Sequence, residues 1–278
     1  MDILEILKVI FLGIVEGITE WLPISSTGHL KLINEFIKLN MSEDFMKMFE
    51  YVIQLGAIMA VVVIYFKKLW PFSAKEKYFC KKDTWNLWFK ILVAIIPGTV
   101  AYFLFDDIVE TYLDSPDMSA YVISAMLIIY GILFIVIEKL HKGKKAKVNH
   151  ISEITYSMAL MIGLFQVLSI IPGTSRSGAT IVGAMLIGAS RLAATEFTFY
   201  LAVPVMFGMS ALKIFQFGLN FTSNELLVLI LGMLSAFVVS IIVIKFLLSY
   251  LKRNTFIPFG WYRIGLGCLV IGYFLVAR

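Results

Sequence analysis

Two short stretches hold most of the side chains that could do chemistry. The first is Glu16-Gly17-Ile18-Thr19-Glu20-Trp21-Leu22-Pro23-Ile24-Ser25-Ser26-Thr27-Gly28-His29. Glu16 and Glu20 are four residues apart, so a helix sets both carboxylates on one face. Like charges there repel, and in an apolar setting each needs a cation, a shared proton or water. The pair reads as a metal site or an acid–base pair; the plainer alternative is a pair facing the aqueous interface. Oxygen donors without a histidine pair favour Mg2+ or Ca2+ over zinc. A serine after Pro23 is a common helix cap, which accounts for one of the two serines. It does not account for His29, one of three histidines in the chain. A serine and His29 beside carboxylates suit a nucleophile and its proton-transfer partner.

The second stretch is Pro172-Gly173-Thr174-Ser175-Arg176-Ser177-Gly178-Ala179-Thr180. A glycine such as Gly173 lets backbone approach a ligand closely. Backbone N–H groups at a helix start attract anions, and the hydroxyls of Ser175 and Thr180 add donors. Arg176 offers a planar fork matched to phosphate oxygens. Arginine at membrane depth is costly, which favours a ligand role over a structural one. Pro97-Gly98-Thr99 repeats three of these letters without serine or arginine and reads as a helix kink. Arg263, after Trp261-Tyr262, reads equally as a further phosphate contact or an interface anchor beside aromatics. Gln54 and Gln166 are polar groups in apolar runs, where such residues mostly pair with a neighbouring helix.

The elements that must position these residues are membrane helices. Hydrophobic residues make up 60% and charged residues 15% of 278, against about 45–50% and 25% in ordinary globular chains. Mean hydropathy is +0.88. These values exclude a soluble domain, disorder, a coiled coil and collagen. The net charge of +5 comes from lysines in short polar gaps and marks topology rather than nucleic-acid binding. Cys80 and Cys268 share no metal-ligand spacing. Met1 to Leu12 shows no cleavable signal peptide.

A span needs about 20 apolar residues. Six runs serve: 49–66, 86–105, 119–140, 196–215, 226–248 and 257–277. Residues 3–22 and 155–171 instead stop at Pro23 and Pro172, turn through small hydroxyl residues and glycine, and resume. Irregular backbone in lipid must be buried in protein or line a wet cavity, so both read as broken or re-entrant hairpins. Each hairpin is followed by three spans. The expectation is an all-α polytopic membrane protein of two inverted repeats, 1–148 and 149–278, in a single membrane domain.

Loop charge sets the orientation. Residues 67–90 hold Lys67, Lys68, Lys75, Lys77, Lys81, Lys82 and Lys90, and 139–147 hold five lysines and no acid. Residues 106–117 hold Asp106, Asp107, Glu110, Asp114 and Asp117 and no lysine or arginine. The positive-inside rule places the lysine gaps and 249–256 in the cytoplasm, and the acidic loop and 214–225 outside. Lys8, Lys31, Lys38 and Lys47 run against this assignment.

The two long motifs resemble the signatures of the undecaprenyl-diphosphate phosphatases, also called the bacitracin-resistance protein family. Val52-Ile53-Gln54-Leu55-Gly56, Leu201-Ala202-Val203-Pro204 and Phe256-Ile257-Pro258-Phe259 extend the likeness over nearly the whole chain. The resemblance implies a long-chain isoprenyl diphosphate substrate, hydrolysed to the monophosphate carrier and inorganic phosphate for reuse in peptidoglycan synthesis. It implies a divalent cation, a site facing the outer side of the cytoplasmic membrane, and functional positions at Glu16, Glu20, Ser25, Ser26, His29, Ser175, Arg176 and Thr180.

The combined reading is a membrane diphosphatase. Glu16 and Glu20 hold the metal, or one acts as base. Arg176, Ser175, Thr180, Ser25 and the backbone at Gly173 bind phosphate. Ser26 is the expected nucleophile with His29 assisting; attack by His29 or by water stays open. Expected partners are the lipid substrate and membrane lipid, with a homodimer among the compatible assemblies. The rival class is a transporter or flippase of a polyprenyl phosphate lipid, because fold alone does not settle function.

Overall fold

The structure is a computed structural model that describes residues 2–74, 79–115 and 118–277. Lys75, Lys77 and Asp117, counted above among the loop charges, lie outside the described residues, as does the side chain of Glu110. The described residues are helical and contain no strand. Helices α1 (Ile3–Thr19) and α2 (Ser26–Phe36) form the first hairpin, and α7 (Tyr156–Val167) and α8 (Arg176–Leu186) the second. Six helices are long and apolar enough to cross a membrane: α3 (Glu43–Ile64), α5 (Lys82–Ile108), α6 (Ser119–His141), α9 (Arg191–Phe217), α10 (Ser223–Leu251) and α11 (Ile257–Ala277). A single turn, α4 (Phe66–Leu69), follows α3. The chain is a multi-pass membrane protein, as its composition requires.

The expected spans appear in order, and several run past their apolar edges. Helices continue until a side chain satisfies the free N–H groups of the first turn. Ser42 accepts from the Phe45 N–H and starts α3 at Glu43. Ser190 accepts from the Ala193 N–H and starts α9 at Arg191. Thr222 and Glu225 form a capping box for α10.

Each hairpin leans its first helix on a long span, α1 along α10 and α7 along α5. Both contacts use a glycine, since only small residues let membrane helices approach closely. A Cβ on Gly13 would stand 2.7 Å from the Gly232 carbonyl, and one on Gly163 would overlap the Ala94 carbonyl. Helix α3 packs against both α9 and α10, and α6 lies along α11. Large apolar side chains such as Phe103, Leu234 and Ile242 cover the outside, where lipid replaces water.

An ion pair on a buried carboxylate ties three parts of the bundle together. The Glu138 carboxylate of α6 accepts from Arg191 Nε at 2.7 Å and Nη2 at 2.5 Å, and from the Phe256 N–H at 2.8 Å. That joins α6 to the start of α9 and the entry to α11. Two of the lysines that opposed the charge rule are neutralised locally. Lys8 pairs with Glu5 at 2.6 Å, and Lys31 pairs with Asp114 of the acidic segment.

Candidate functional site

Both hairpins break in the same way. Helix α1 stops at Thr19 and α7 gives way to a 3-10 turn at Leu168–Ile170, each ahead of the proline that cannot continue it. The re-entrant helices then start at Ser25 and Ser175, with φ 75° and ψ 95°, and φ 70° and ψ 118°. Positive φ costs a non-glycine residue about 1–3 kcal/mol and persists where surroundings impose it. Here each serine also caps its helix: Ser25 Oγ accepts from the Gly28 N–H at 3.3 Å, and Ser175 Oγ from the Gly178 N–H at 3.2 Å. Capping therefore occupies Ser25 and Ser175 rather than Ser26. Gly173 also has positive φ, 84°, and a Cβ there would lie 2.7 Å from Ile123 Cα. The bare Cα of Gly173, expected to admit a ligand, admits helix α6.

Arg263 holds the two breaks together. It is fully buried. Its Nη1 donates to the Pro23 carbonyl at 3.1 Å, and its Nη2 to the carbonyls of Gly173 at 2.9 Å and Thr174 at 3.0 Å. The guanidinium lies 5.4 Å from the Tyr130 ring centroid. Arg263 is thus neither an interface anchor nor turned toward the site: it supplies the donors that carbonyls at broken helix ends lack in lipid.

With the turns clamped, residues 156 positions apart meet. Arg176 Nη2 donates to Glu20 Oε1 at 2.9 Å, and Ser26 Oγ donates to Glu20 Oε2 at 2.7 Å. One carboxylate joins the serine of the first hairpin to the arginine of the second. Arg176 Nη1 also donates to the Thr198 carbonyl at 3.3 Å. Thr180 turns away from this cluster. Its hydroxyl donates to the Arg176 carbonyl at 2.9 Å and accepts from Thr198 Oγ1 at 2.9 Å, which braces the arginine's backbone. Ser177 donates to the Glu20 carbonyl at 3.4 Å.

His29 is engaged elsewhere. Its Nδ1 lies 2.7 Å from the Ser25 carbonyl and its Nε2 2.7 Å from the Tyr262 hydroxyl, with the two rings stacked. A carbonyl only accepts, so Nδ1 carries the proton and Nε2 accepts from Tyr262. The partner of the Ser26 hydroxyl is Glu20, where the sequence pattern had suggested His29. Tyr262 escaped the sequence reading because its meaning depends on a partner 233 positions away; the Trp261-Tyr262-Arg263 run was the only local signal.

Glu16 is fully buried, and neither carboxylate oxygen has a hydrogen-bond partner among the described residues. Glu20, Glu50 and Arg176 lie within its electrostatic range. Glu50 accepts from Asn34 Nδ2 at 3.0 Å. No group of three His, Cys, Asp or Glu side chains is arranged around one point among the described residues. Cys80 and Cys268 are free.

Arg176 also borders a cavity of about 650 Å3 that opens between α5, α7 and α9. Its walls include Ile95, Phe103, Val205 and Leu212, with Gly98 and Thr99 beside Pro97 of α5. The arrangement thus joins a guanidinium and a hydroxyl through one carboxylate, with a largely apolar space beside the guanidinium.

The family model described as "Bacitracin resistance protein BacA" matches residues 9–269. Among curated proteins, the chain is 65% identical over 278 residues to an undecaprenyl-diphosphatase of Lachnoclostridium phytofermentans, covering 100% of both chains. It is 60% identical over 273 residues to an undecaprenyl-diphosphatase of Enterococcus faecalis, covering 98% of each. It is 57% identical over 277 residues to undecaprenyl-diphosphatase 1 of Clostridium acetobutylicum, covering 99% of this chain and 100% of the relative.

Proposed function

Since the chain belongs to the bacitracin resistance protein BacA family, we propose that Ser26, Glu20 and Arg176 form one diphosphatase site shared by its two hairpins. The activity is hydrolysis of undecaprenyl diphosphate to undecaprenyl phosphate and inorganic phosphate, which returns the lipid carrier to cell-wall synthesis and underlies bacitracin resistance. The observation that carries the residue assignment is the shared carboxylate: Ser26 and Arg176 bond its two oxygens at 2.7 and 2.9 Å.

The chemistry follows from that contact. An incoming diphosphate competes with Glu20 for Arg176, and the guanidinium fork takes its oxygens. Glu20, released from the ion pair, becomes a stronger base toward the Ser26 proton. Ser26 Oγ attacks the terminal phosphorus, and the bond from that phosphorus to the bridging oxygen breaks. The electron pair leaves on the lipid monophosphate, and Glu20 passes the serine proton to that departing oxygen, which returns Glu20 to the carboxylate. Water then attacks the phosphoserine, Glu20 accepts its proton, and Ser26 regains a proton as inorganic phosphate departs. His29, fixed by Ser25 and Tyr262, orients the start of α2. The cavity beside Arg176 gives the isoprenyl chain an apolar path.

A divalent cation fits the donor set. The carboxylate of Glu16 is buried and has no hydrogen-bond partner among the described residues, and Mg2+ is commonly held by one or two carboxylates together with substrate phosphates. Glu16, with phosphate oxygens of the substrate, would hold Mg2+ or Ca2+, whose charge would offset that on the leaving phosphate, while Glu20 serves as the base.

The same reading extends to topology. The matched builds of the hairpins, with Ser25 and Ser175 in one conformation and Gly13 and Gly163 in one packing role, support two inverted repeats over 1–148 and 149–278. The lysine gaps then face the cytoplasm and the diphosphatase site the outer side of the cytoplasmic membrane. Phosphate release by purified protein in detergent tests the chemistry. Wild type turns over with no two sides present, as a transporter alone would not, and Ser26→Ala falls at least about 10³-fold. Near-normal turnover by Ser26→Ala would assign the attack to water or His29. An impermeant thiol reagent on intact cells tests the sides: Ser115→Cys labels and Lys144→Cys does not, and the reverse result inverts the orientation.

A further inference from the structure

A second polar cavity, of about 700 Å3, shares no lining residue with the cluster of Ser26, Glu20 and Arg176. It opens among the starts of α5 and α9, the end of α10 and the segment 149–152. Helix α9 separates the two places. Its Thr198 carbonyl receives Arg176, and Tyr200, two residues on and so about 200° around the helix, lines the second cavity.

Three observations give this cavity a preference. The first is charge. Lys68, Lys90 and Lys252 line it, against Asp83 and Glu196. Lys68 is partly spent on Glu196 at 3.7 Å, while Lys90, only 6% exposed, has its ammonium at 3.4 Å from the Ser152 carbonyl. Lys252 is exposed. The second is the start of α5, a helix of 27 residues that has no side-chain cap among the described residues. Asp83, Thr84 and Asn86 of its first turns line the cavity, so uncapped N–H groups and the positive end of the helix dipole stand at its wall. The third is Tyr200, 1% exposed, whose hydroxyl has no hydrogen-bond partner among the described residues. Leaving such a donor unpaired costs about 1–3 kcal/mol, and an acceptor in the cavity would remove that cost.

We infer that this cavity is an anion site for a phosphate group, held by Lys90, Lys252, the start of α5 and the Tyr200 hydroxyl. Two sources share that chemistry, free inorganic phosphate and the phosphate of a lipid headgroup. The inference does not depend on which residues hydrolyse the diphosphate.

The test uses the full chain in detergent, with binding followed by isothermal titration of sodium phosphate and of dodecyl phosphate in mixed micelles. Arg176→Ala serves as the background, which removes the anion ligand of the first site. In that background one phosphate-class ligand still binds, and adding Lys90→Gln with Lys252→Gln weakens it at least tenfold. Binding by dodecyl phosphate alone assigns a lipid headgroup; equal binding by both probes, in mutual competition, assigns the phosphate itself. Binding lost with Arg176→Ala alone, or unchanged by the two lysine substitutions, overturns the site. Because Lys90 is buried, Tyr200→Phe with Lys252→Gln provides a second variant of nearly native volume. It weakens binding at least threefold in the Arg176→Ala background and, with Arg176 in place, leaves hydrolysis within twofold of wild type. Unchanged binding in that variant, or a parallel loss of hydrolysis, also overturns the separate site.

Discussion

Replacing Arg263 by lysine should cost both stability and turnover, and the structure sets the size of each. The guanidinium reaches the first break through Nη1, at Pro23, and the second through Nη2, at Gly173 and Thr174. One ammonium nitrogen cannot occupy both positions. Lysine therefore gives up at least the single bond to the first break or the two to the second. Hydrogen bonds to a charged partner contribute about 1.5–3 kcal/mol each, so the expected loss is about 2–6 kcal/mol of stability. The freed carbonyls lie at the fully buried position of Arg263, where an acceptor left unpaired costs about 1–3 kcal/mol. The released hairpin also carries either Glu20 and Ser26 or Arg176, and a displacement near 1 Å in such a site costs about 100-fold in rate. Thermal unfolding in detergent and phosphate release on the same preparation measure the two effects together. A fall in both supports the clamp. Native unfolding temperature with a raised KM would show that Arg263 meets substrate directly, and native values of both would refute the reasoning.

Glu20→Gln should lower kcat at least about 100-fold, because the amide cannot accept the Ser26 proton; retained kcat in a pH-controlled phosphate-release assay would move the base elsewhere. Ser175→Ala should cost only about 1 kcal/mol of stability, the worth of a helix cap, and far less turnover than Ser26→Ala. Tyr262→Phe removes one bond to His29, about 0.5–1.5 kcal/mol, so turnover should fall by roughly threefold to tenfold; a larger loss would give Tyr262 a direct role. Chelation should abolish phosphate release, and Glu16→Gln should raise the Mg2+ concentration needed for half-activity at least tenfold. Full activity in excess chelator would remove the cation from the mechanism.

The all-helical membrane fold was legible because lipid tolerates few solutions. Long apolar runs must become helices, and Pro23 and Pro172 must interrupt them. Span ends were less legible, since Ser42 and Ser190 extend α3 and α9 beyond the apolar edge. The candidate site residues stood out by cost: carboxylates at Glu16 and Glu20 and the guanidinium of Arg176 do not persist in apolar helices without partners or a task. What each side chain bonds was not legible in the same way. Ser25, Ser26, Ser175 and Thr180 have similar hydroxyls, and local sequence does not say which one caps, which braces and which meets a carboxylate.

The sequence by itself determined that this is a polytopic helical protein with two broken hairpins, that carboxylates lie in one and an arginine in the other, and which family it belongs to. The fold and the breaks depend on composition, periodicity and local sequence, which short stretches of chain express alone; the family is carried by the likeness of the two long motifs to those of its members. Only the tertiary structure decided that Glu20 joins Ser26 to Arg176, that His29 bonds Tyr262, that Gly173 serves packing and that Arg263 clamps both turns. Each of those is a contact across more than 100 positions or between separate helices. Its strength lies in distance and desolvation, which exist only once the helices have packed.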